Sequence, residues 1–444
     1  MENFTLRDYQ SVQLAFHIQK KKSLNLSDPG TGKTPTACLF IQYIVDVEHL
    51  RVAFVMPKSL LDKNLKETLR FTGLQENQVK IVSGLPPKKR EDIYKNPDVK
   101  VYLMGFDNFS AEFNKLPRDF GGLVVDEFHM GYKTNDSKRT QAFYAAVNRC
   151  KFFLGMSGTL IDGRLDSAYP AIRACSNKYY GSYKEFIAQH AYVDEYGHVL
   201  EWYNHDKIKR ILGREAVKMR FKDAYKNSPE PVIIAEECQI DKNQLKLYKE
   251  FEAEALLELE DKFITDSGSG GVHQMRCRQI LECPEALEIP VDFSYGKDER
   301  LKVHLEDAVN SKKPLLIFSV FVAEQQRLAA MCSNMGLRTA IMNGNTSDSK
   351  RAEIDKAFRN GKIDVVIGSP AVMSVGFNWQ HVDTVIFVSI DYMDSNFKQA
   401  IQRADRGTRS YPLTVYRMYY PVKVEARLWD IIKRKKSDSE KVGW

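Results

Sequence analysis

The feature that most restricts how this chain folds is the run Ser27-Asp28-Pro29-Gly30-Thr31-Gly32-Lys33-Thr34. It follows the apolar Leu24-Asn25-Leu26 and precedes the helix-like Pro35-Thr36-Ala37-Cys38-Leu39-Phe40. A strand that ends in a glycine-rich turn and re-enters as a helix turns backbone N–H groups inward. The helix start adds partial positive charge, so the turn forms a cradle for phosphate. Asp28, Pro29, Gly30, Thr31 and Gly32 wall that cradle. Lys33 is placed to reach β- and γ-phosphates, and the Thr34 hydroxyl to hold Mg2+. Ser27 stands where the full pattern has glycine. On this motif alone, an ordinary glycine-rich turn stays open.

A second run narrows the choice. Leu123-Val124-Val125-Asp126-Glu127-Phe128-His129 puts two adjacent carboxylates at the end of a buried apolar strand. Such a pair is costly unless a cation or a water needs it. Asp126 suits Mg2+ binding through water, and Glu127 suits orienting and deprotonating an attacking water. The implied cofactors are ATP and Mg2+.

Short apolar runs recur at 51–56, 99–104, 122–125 and 152–154, and again at 314–318, 339–342, 364–367 and 384–388, alternating with helical stretches. They predict buried parallel strands with crossover helices. A chain of 444 residues exceeds one ordinary core. The expected organisation is α/β: two RecA-like, P-loop parallel-sheet domains, 1–165 and 298–444, with a mostly helical insert at 166–297. Within the insert, 190–203 reads as a hairpin and 266–271 as a flexible loop. The 43% hydrophobic and 28% charged composition is that of a soluble globular protein, and no apolar run is long enough for a membrane span. Seven scattered cysteines without zinc spacing predict free thiols in a cytoplasm. The net charge of +7 is compatible with a polyanion partner and decides little.

Taken in order, the motifs resemble those of superfamily 2 helicases of the Snf2-like group over nearly the whole chain. Asp126-Glu127-Phe128-His129 resembles motif II, in which His129 would link the strand end to the other domain. Leu6-Arg7-Asp8-Tyr9-Gln10 is similar to the Snf2 opening, which implies that Arg7 and Gln10 contact the nucleotide and that Gln10 reads adenine. Pro57-Lys58-Ser59 looks like a strand-contacting motif, as do Asn343-Gly344, Ser374 and Asn378, with Gly376 on the nucleotide side. Ser157-Gly158-Thr159 resembles the motif coupling hydrolysis to strand contact. Arg278-Gln279-Ile280 followed by Pro284, and the pair Arg220 and Lys222, also resemble Snf2 segments. The pair would either touch DNA or brace the lobes.

The run 399–409 resembles motif VI, which implies Gln402 as a γ-phosphate sensor and Arg406 and Arg409 as arginine fingers from the second domain. A guanidinium there stabilises charge on the transferring phosphoryl group, and ATP binding would close the two lobes. The resemblance implies an ATP-dependent DNA helicase or translocase. The compact chain is similar to bacterial or bacteriophage members that remodel branched DNA in recombination and replication, by fork regression or junction migration. The expected partner is duplex or branched DNA, with single-stranded DNA a further option. Protein partners are unknown, and the setting is a bacterial or phage-infected cytoplasm. An RNA-dependent ATPase, or an ATP-gated clamp with little turnover, are the rival readings. In the hairpin, Tyr196 and Trp202 would form a wedge at a branch point, or the segment is simply structural.

Overall fold

The computed structural model describes residues 5–161, 164–262, 269–373, 376–407 and 409–443. They fall into two compact units, 1–226 with 434–444, and 227–433.

The first unit is built on a parallel sheet. In chain order its strands are β1 (Lys22–Asn25), β2 (Arg51–Met56), β3 (Val79–Ile81), β4 (Val101–Gly105), β5 (Phe120–Val125) and β6 (Phe152–Met156). A separate antiparallel hairpin, β7 (Ala191–Val193) and β8 (Val199–Trp202), precedes β9 (Ala216–Val217), which rejoins the sheet. The spatial order is β3-β4-β2-β5-β6-β1-β9. Every residue of β5 and β6 is buried, as expected where helices cover both faces. The helix Lys33–Asp46 buries Ala37, Cys38, Phe40, Ile41 and Ile44. Glycine at 122 lets it approach, since a Cβ there would stand 3.1 Å from Ile44.

The second unit holds β10 (Val232–Glu237), β11 (Leu315–Phe318), β12 (Thr339–Met342), β13 (Val365–Gly368), β14 (Thr384–Phe387) and β15 (Thr414–Tyr419). They lie in the order β10-β15-β14-β11-β13-β12, again all parallel. Alternate residues feed two cores. Leu315, Ile317, Val365, Ile367 and Ile386 face one side, and Leu316, Phe318, Val366, Val385 and Phe387 the other.

The segment 166–297 is not one helical insert. Its first part, to residue 226, packs in the first unit and supplies β9; the rest belongs to the second unit and supplies β10. The tight pairing of β10 with β15 over six residues draws that stretch into the second sheet. Positions 266–268 of the expected loop lie outside the described residues, and 269–271 open the helix Ser269–Glu282. Among the described residues, no helix is long and apolar enough to cross a membrane.

Candidate active site

The loop after β1 has left-handed backbone at Gly30 (φ 83°) and Gly32 (φ 80°), a conformation cheap only for glycine. Gly32 is the N-cap of Lys33–Asp46, so the first-turn N–H groups open onto the loop. Lys33 Nζ donates to the Ser27 carbonyl at 2.7 Å. Thr34 sits half-buried in the first helical turn. The serine at 27 has a structural reason. It is buried, and its Oγ accepts from Gln13 Nε2 at 3.1 Å and from the Met219 N–H at 3.0 Å. Its backbone is not among the positive-φ positions, so nothing there calls for glycine. Asp28 accepts the Phe221 N–H at 2.8 Å, and the Thr31 hydroxyl donates back to the Asp28 carbonyl at 2.7 Å. Asp28 and Thr31 therefore shape the loop.

Gln10 is buried and both ends of its amide are engaged. Oε1 accepts the Arg7 N–H at 2.9 Å, and Nε2 donates to the Gly32 carbonyl at 2.9 Å. The residue expected to read adenine is thus also a tie between the helix Asp8–Lys20 and the phosphate loop. Arg7 caps that helix and is exposed.

Asp126 and Glu127 follow the last residue of β5. The Asp126 N–H donates to the Val55 carbonyl at 2.8 Å, and Asp126 Oδ1 accepts the Glu127 N–H at 3.0 Å. Glu127 has φ 48° and ψ 51°, a left-handed conformation costing a non-glycine residue roughly 1–2 kcal/mol. Strain of this kind persists where the surroundings enforce it, commonly at functional sites. Burial and the neighbouring Glu127 charge push the Asp126 pKa up to about 6, against the pull of Lys33 and Lys63. The carboxylate pair is short of positive charge, and a divalent cation held by Thr34 and Asp126 fits it. No group of three or more His, Cys, Asp or Glu side chains that could hold a metal occurs among the described residues. Mg2+ needs none, because water and phosphate oxygens complete its shell.

His129 is buried, and its Nδ1 lies 2.9 Å from Ser157 Oγ and 3.5 Å from Glu127 Oε2. The Ser157 Oγ also lies 2.8 Å from the Thr159 carbonyl and accepts the Thr159 N–H at 3.1 Å. His129, expected to serve the other domain, here joins the strand ends of β5 and β6. A Cβ on Gly158 would stand 2.6 Å from Pro29 of the phosphate loop. Residues 157–159 thus touch both neighbours. Because β6 lies between β5 and β1 in the sheet, three adjacent C-terminal strand ends carry the carboxylates, the Ser-Gly-Thr turn and the phosphate loop. Open α/β sheets bind ligands at that end. Pro57, Lys58 and Ser59 end β2 at the same edge, with Lys58 and Ser59 exposed.

In the second unit the outcome is divided. Gln402 lies on the helix Asp394–Ala404, and its Oε1 is buried without a hydrogen-bond partner among the described residues. Arg406 Nε donates to the Gln402 carbonyl at 3.1 Å. Arg409 is buried and bound internally. Nη2 meets Asp383 Oδ1 at 2.6 Å, and Nη1 donates to the Gln380 and Ala404 carbonyls at 3.1 and 3.0 Å. In this structure it braces its own unit. Asn343 is likewise turned inward. Its Nδ2 donates to Gln325 Oε1 at 2.9 Å, and its Oδ1 accepts the Asn345 N–H at 3.0 Å. That side chain shapes the loop after β12, leaving Gly344 exposed there. Gly376 has φ 86° and Asn378 is exposed. Ser374 lies outside the described residues.

The hairpin 191–202 exposes Tyr192 and Tyr196, whereas Trp202 is half-buried and packs against the first unit's core. Trp202 is therefore a base residue of the hairpin and no part of a tip wedge. Sequence reasoning missed Met219 and Phe221, which bind the phosphate loop. Only the neighbouring Arg220 and Lys222 gave a signal.

The chain is similar in sequence to known proteins. Residues 3–162 match the family model "Type III restriction enzyme, res subunit", and residues 296–410 match "Helicase conserved C-terminal domain". An uncharacterized ATP-dependent helicase of Mycoplasma pneumoniae is 22% identical over 440 residues, covering 96% of this chain and 41% of the relative. The chromatin structure-remodeling complex subunit snf21 of Schizosaccharomyces pombe is 21% identical, covering 96% and 38%. The chain thus spans about two fifths of the length of these relatives. Among solved structures, the Sulfolobus solfataricus SWI2/SNF2 ATPase core in complex with dsDNA is similar at 18% identity and a TM-score of 0.45, over 98% of this chain and 92% of that one.

Proposed function

We propose that the chain carries a Snf2-like superfamily 2 helicase core and hydrolyses ATP to track along duplex DNA and remodel branched DNA, a reading supported by the two family models it matches and by its helicase relatives. The observation that carries the reading is the linkage across β1, β6 and β5. Gly158 packs on Pro29, and His129 bonds Ser157. A change at the phosphate loop therefore has a short mechanical path to Glu127 and to the strand end beside it.

In this reading Lys33 leaves the Ser27 carbonyl for the phosphates, while Thr34 and Asp126 hold Mg2+. The ion neutralises charge on the phosphate oxygens when bound. Glu127 takes the proton of the attacking water. Gln402 and Arg406 serve the same step from the second unit, Arg406 by stabilising charge in the transition state. Lys58, Ser59, Gly344 and Asn378 contact the tracked strand, and the printed role of the snf21 relative in chromatin favours duplex DNA over RNA.

The branched-DNA part rests on the hairpin. Its tip exposes Tyr196 and Glu195, with Asp194 half-buried against His198 and no lysine or arginine from 190 to 203. The exposed Tyr196 ring is a surface on which an unpaired base can stack. The test compares ATP hydrolysis with single-stranded, duplex, forked and four-way DNA and with RNA, alongside gel-resolved conversion of the branched substrates. Stimulation by duplex and branched DNA, with Tyr196→Ala impairing conversion more than hydrolysis, supports the proposal. Stimulation by RNA alone, or no conversion of any branched substrate, counts against it.

A further inference from the structure

Three consecutive carbonyls of the phosphate loop are each held by a side chain from outside the loop. Gln10 Nε2 donates to the Gly32 carbonyl at 2.9 Å, Tyr9 Oη to Thr31 at 2.5 Å, and Tyr225 Oη to Gly30 at 3.1 Å. The Thr31 N–H, on the same peptide as the Gly30 carbonyl, closes the turn on the Asp28 carbonyl at 3.3 Å, so these carbonyl bonds fix the shape of the loop that surrounds a phosphate. The first two donors are neighbours in the opening helix. The third lies 195 positions after Gly30, in the segment that follows β9.

That segment follows the loop closely. The Asp28 N–H donates to the Met219 carbonyl at 2.9 Å, and Phe221 Cε2 stands 3.2 Å from where a Gly30 Cβ would be. The Phe221 and Tyr225 rings meet at 4.8 Å. The other face of the Tyr225 environment is Arg7, whose guanidinium carbon is 4.6 Å from the ring centroid. A guanidinium this close to an aromatic ring is attracted to it and held in place. One tyrosine therefore touches the phosphate loop through its hydroxyl and Arg7 through its ring.

We propose that Tyr225 is a positioning residue of the nucleotide site: its hydroxyl fixes the Gly30 peptide for phosphate, and its ring seats Arg7 for stacking on the base. This rests on the reading of the loop as an ATP site. It adds a residue from the far end of the unit, next to Lys226, after which the chain passes into the second unit.

The two contacts separate experimentally. Tyr225→Phe keeps the ring and loses the hydroxyl; Tyr225→Leu loses both. Equilibrium binding is measured for ATP and for inorganic tripolyphosphate, which has no base, with kcat and KM for ATP. Tyr225→Phe should weaken both ligands alike, by about 2–10-fold, the worth of one neutral hydrogen bond. Tyr225→Leu should weaken tripolyphosphate by the same factor and ATP by several-fold more, seen as a raised KM with little change in kcat. Circular dichroism and the unfolding midpoint report folding. Variants matching a wild-type protein that binds both ligands would overturn the positioning role alone. So would equal losses for both ligands in Tyr225→Leu, accompanied by a lowered unfolding midpoint, because they mark a merely structural residue. A wild-type chain that binds neither ligand would overturn the ATP-site reading itself, and this role with it.

Discussion

Replacing Arg409 by alanine separates a brace from an arginine finger. The guanidinium is 5% exposed and its partner Asp383 22% exposed. Removing one member of a buried pair costs roughly 3–5 kcal/mol when the other is stranded. Asp383 is not stranded, because Lys313 Nζ lies 3.2 Å away and the carboxylate reaches solvent. Against that, the Gln380 and Ala404 carbonyls lose a charged donor. The balance is a loss of about 2–3 kcal/mol from the second unit. For a unit of about 200 residues, that lowers the unfolding midpoint by roughly 5–10 °C. Thermal unfolding followed by tryptophan fluorescence suits the question. Trp379 is fully buried in this unit, with its Nε1 bonded to Asp355 at 2.9 Å. Arg409→Lys should recover part of the loss by keeping the charge. If Arg409→Ala unfolds like wild type yet loses about 10³-fold in turnover, the residue is a finger and the brace is wrong.

Glu127→Gln should retain ATP and Mg2+ binding while hydrolysis stops, because only the water-activating carboxylate changes; titration with ATP beside a phosphate-release assay checks it. Glu282 and Glu425 share the buried Lys297 ammonium, and burial pushes both carboxyls up to about 7. A carboxyl whose folded pKa is raised binds more protons folded than unfolded, so its contribution to stability falls as pH rises from the ordinary carboxyl range to about 7. The stability of wild type relative to Glu282→Gln should therefore decline across that window in urea unfolding at several pH values, and a rise would refute the assignment. DNA affinity should fall steeply between low and moderate salt, as counterions are released from phosphates. A flat salt dependence in a binding titration would remove backbone tracking.

Much of the first unit's site was legible because its chemistry lies in short contiguous runs. Gly30 to Thr34 and Asp126-Glu127 each carry their own strand, turn and helix signals, and the apolar runs marked most strands of both sheets to within a residue or two. What escaped depends on tertiary neighbours. Nothing near Tyr225 in sequence announces that its hydroxyl meets Gly30, and β9, with two residues, is too short for any periodicity. β10 escaped for another reason. Its Val232, Ile233 and Ile234 are exposed, so it has no alternation of buried and open positions, and it joins the sheet only through β15. Arg409 and Asn343 sit in motifs that suggest ligand contact, with no sign in the sequence of the internal bonds they make, Arg409 to Asp383 and Gln380, and Asn343 to Gln325 and Asn345. Polar residues near a site serve the backbone as readily as the substrate.

The most direct test is steady-state phosphate release from ATP by the wild-type chain and by Lys33→Ala, each with and without duplex DNA. The expected result is hydrolysis by the wild type that duplex DNA stimulates, and none above background in the variant. Undiminished release by Lys33→Ala, or a wild-type rate indifferent to duplex DNA, would contradict an ATP-driven DNA motor built on this loop.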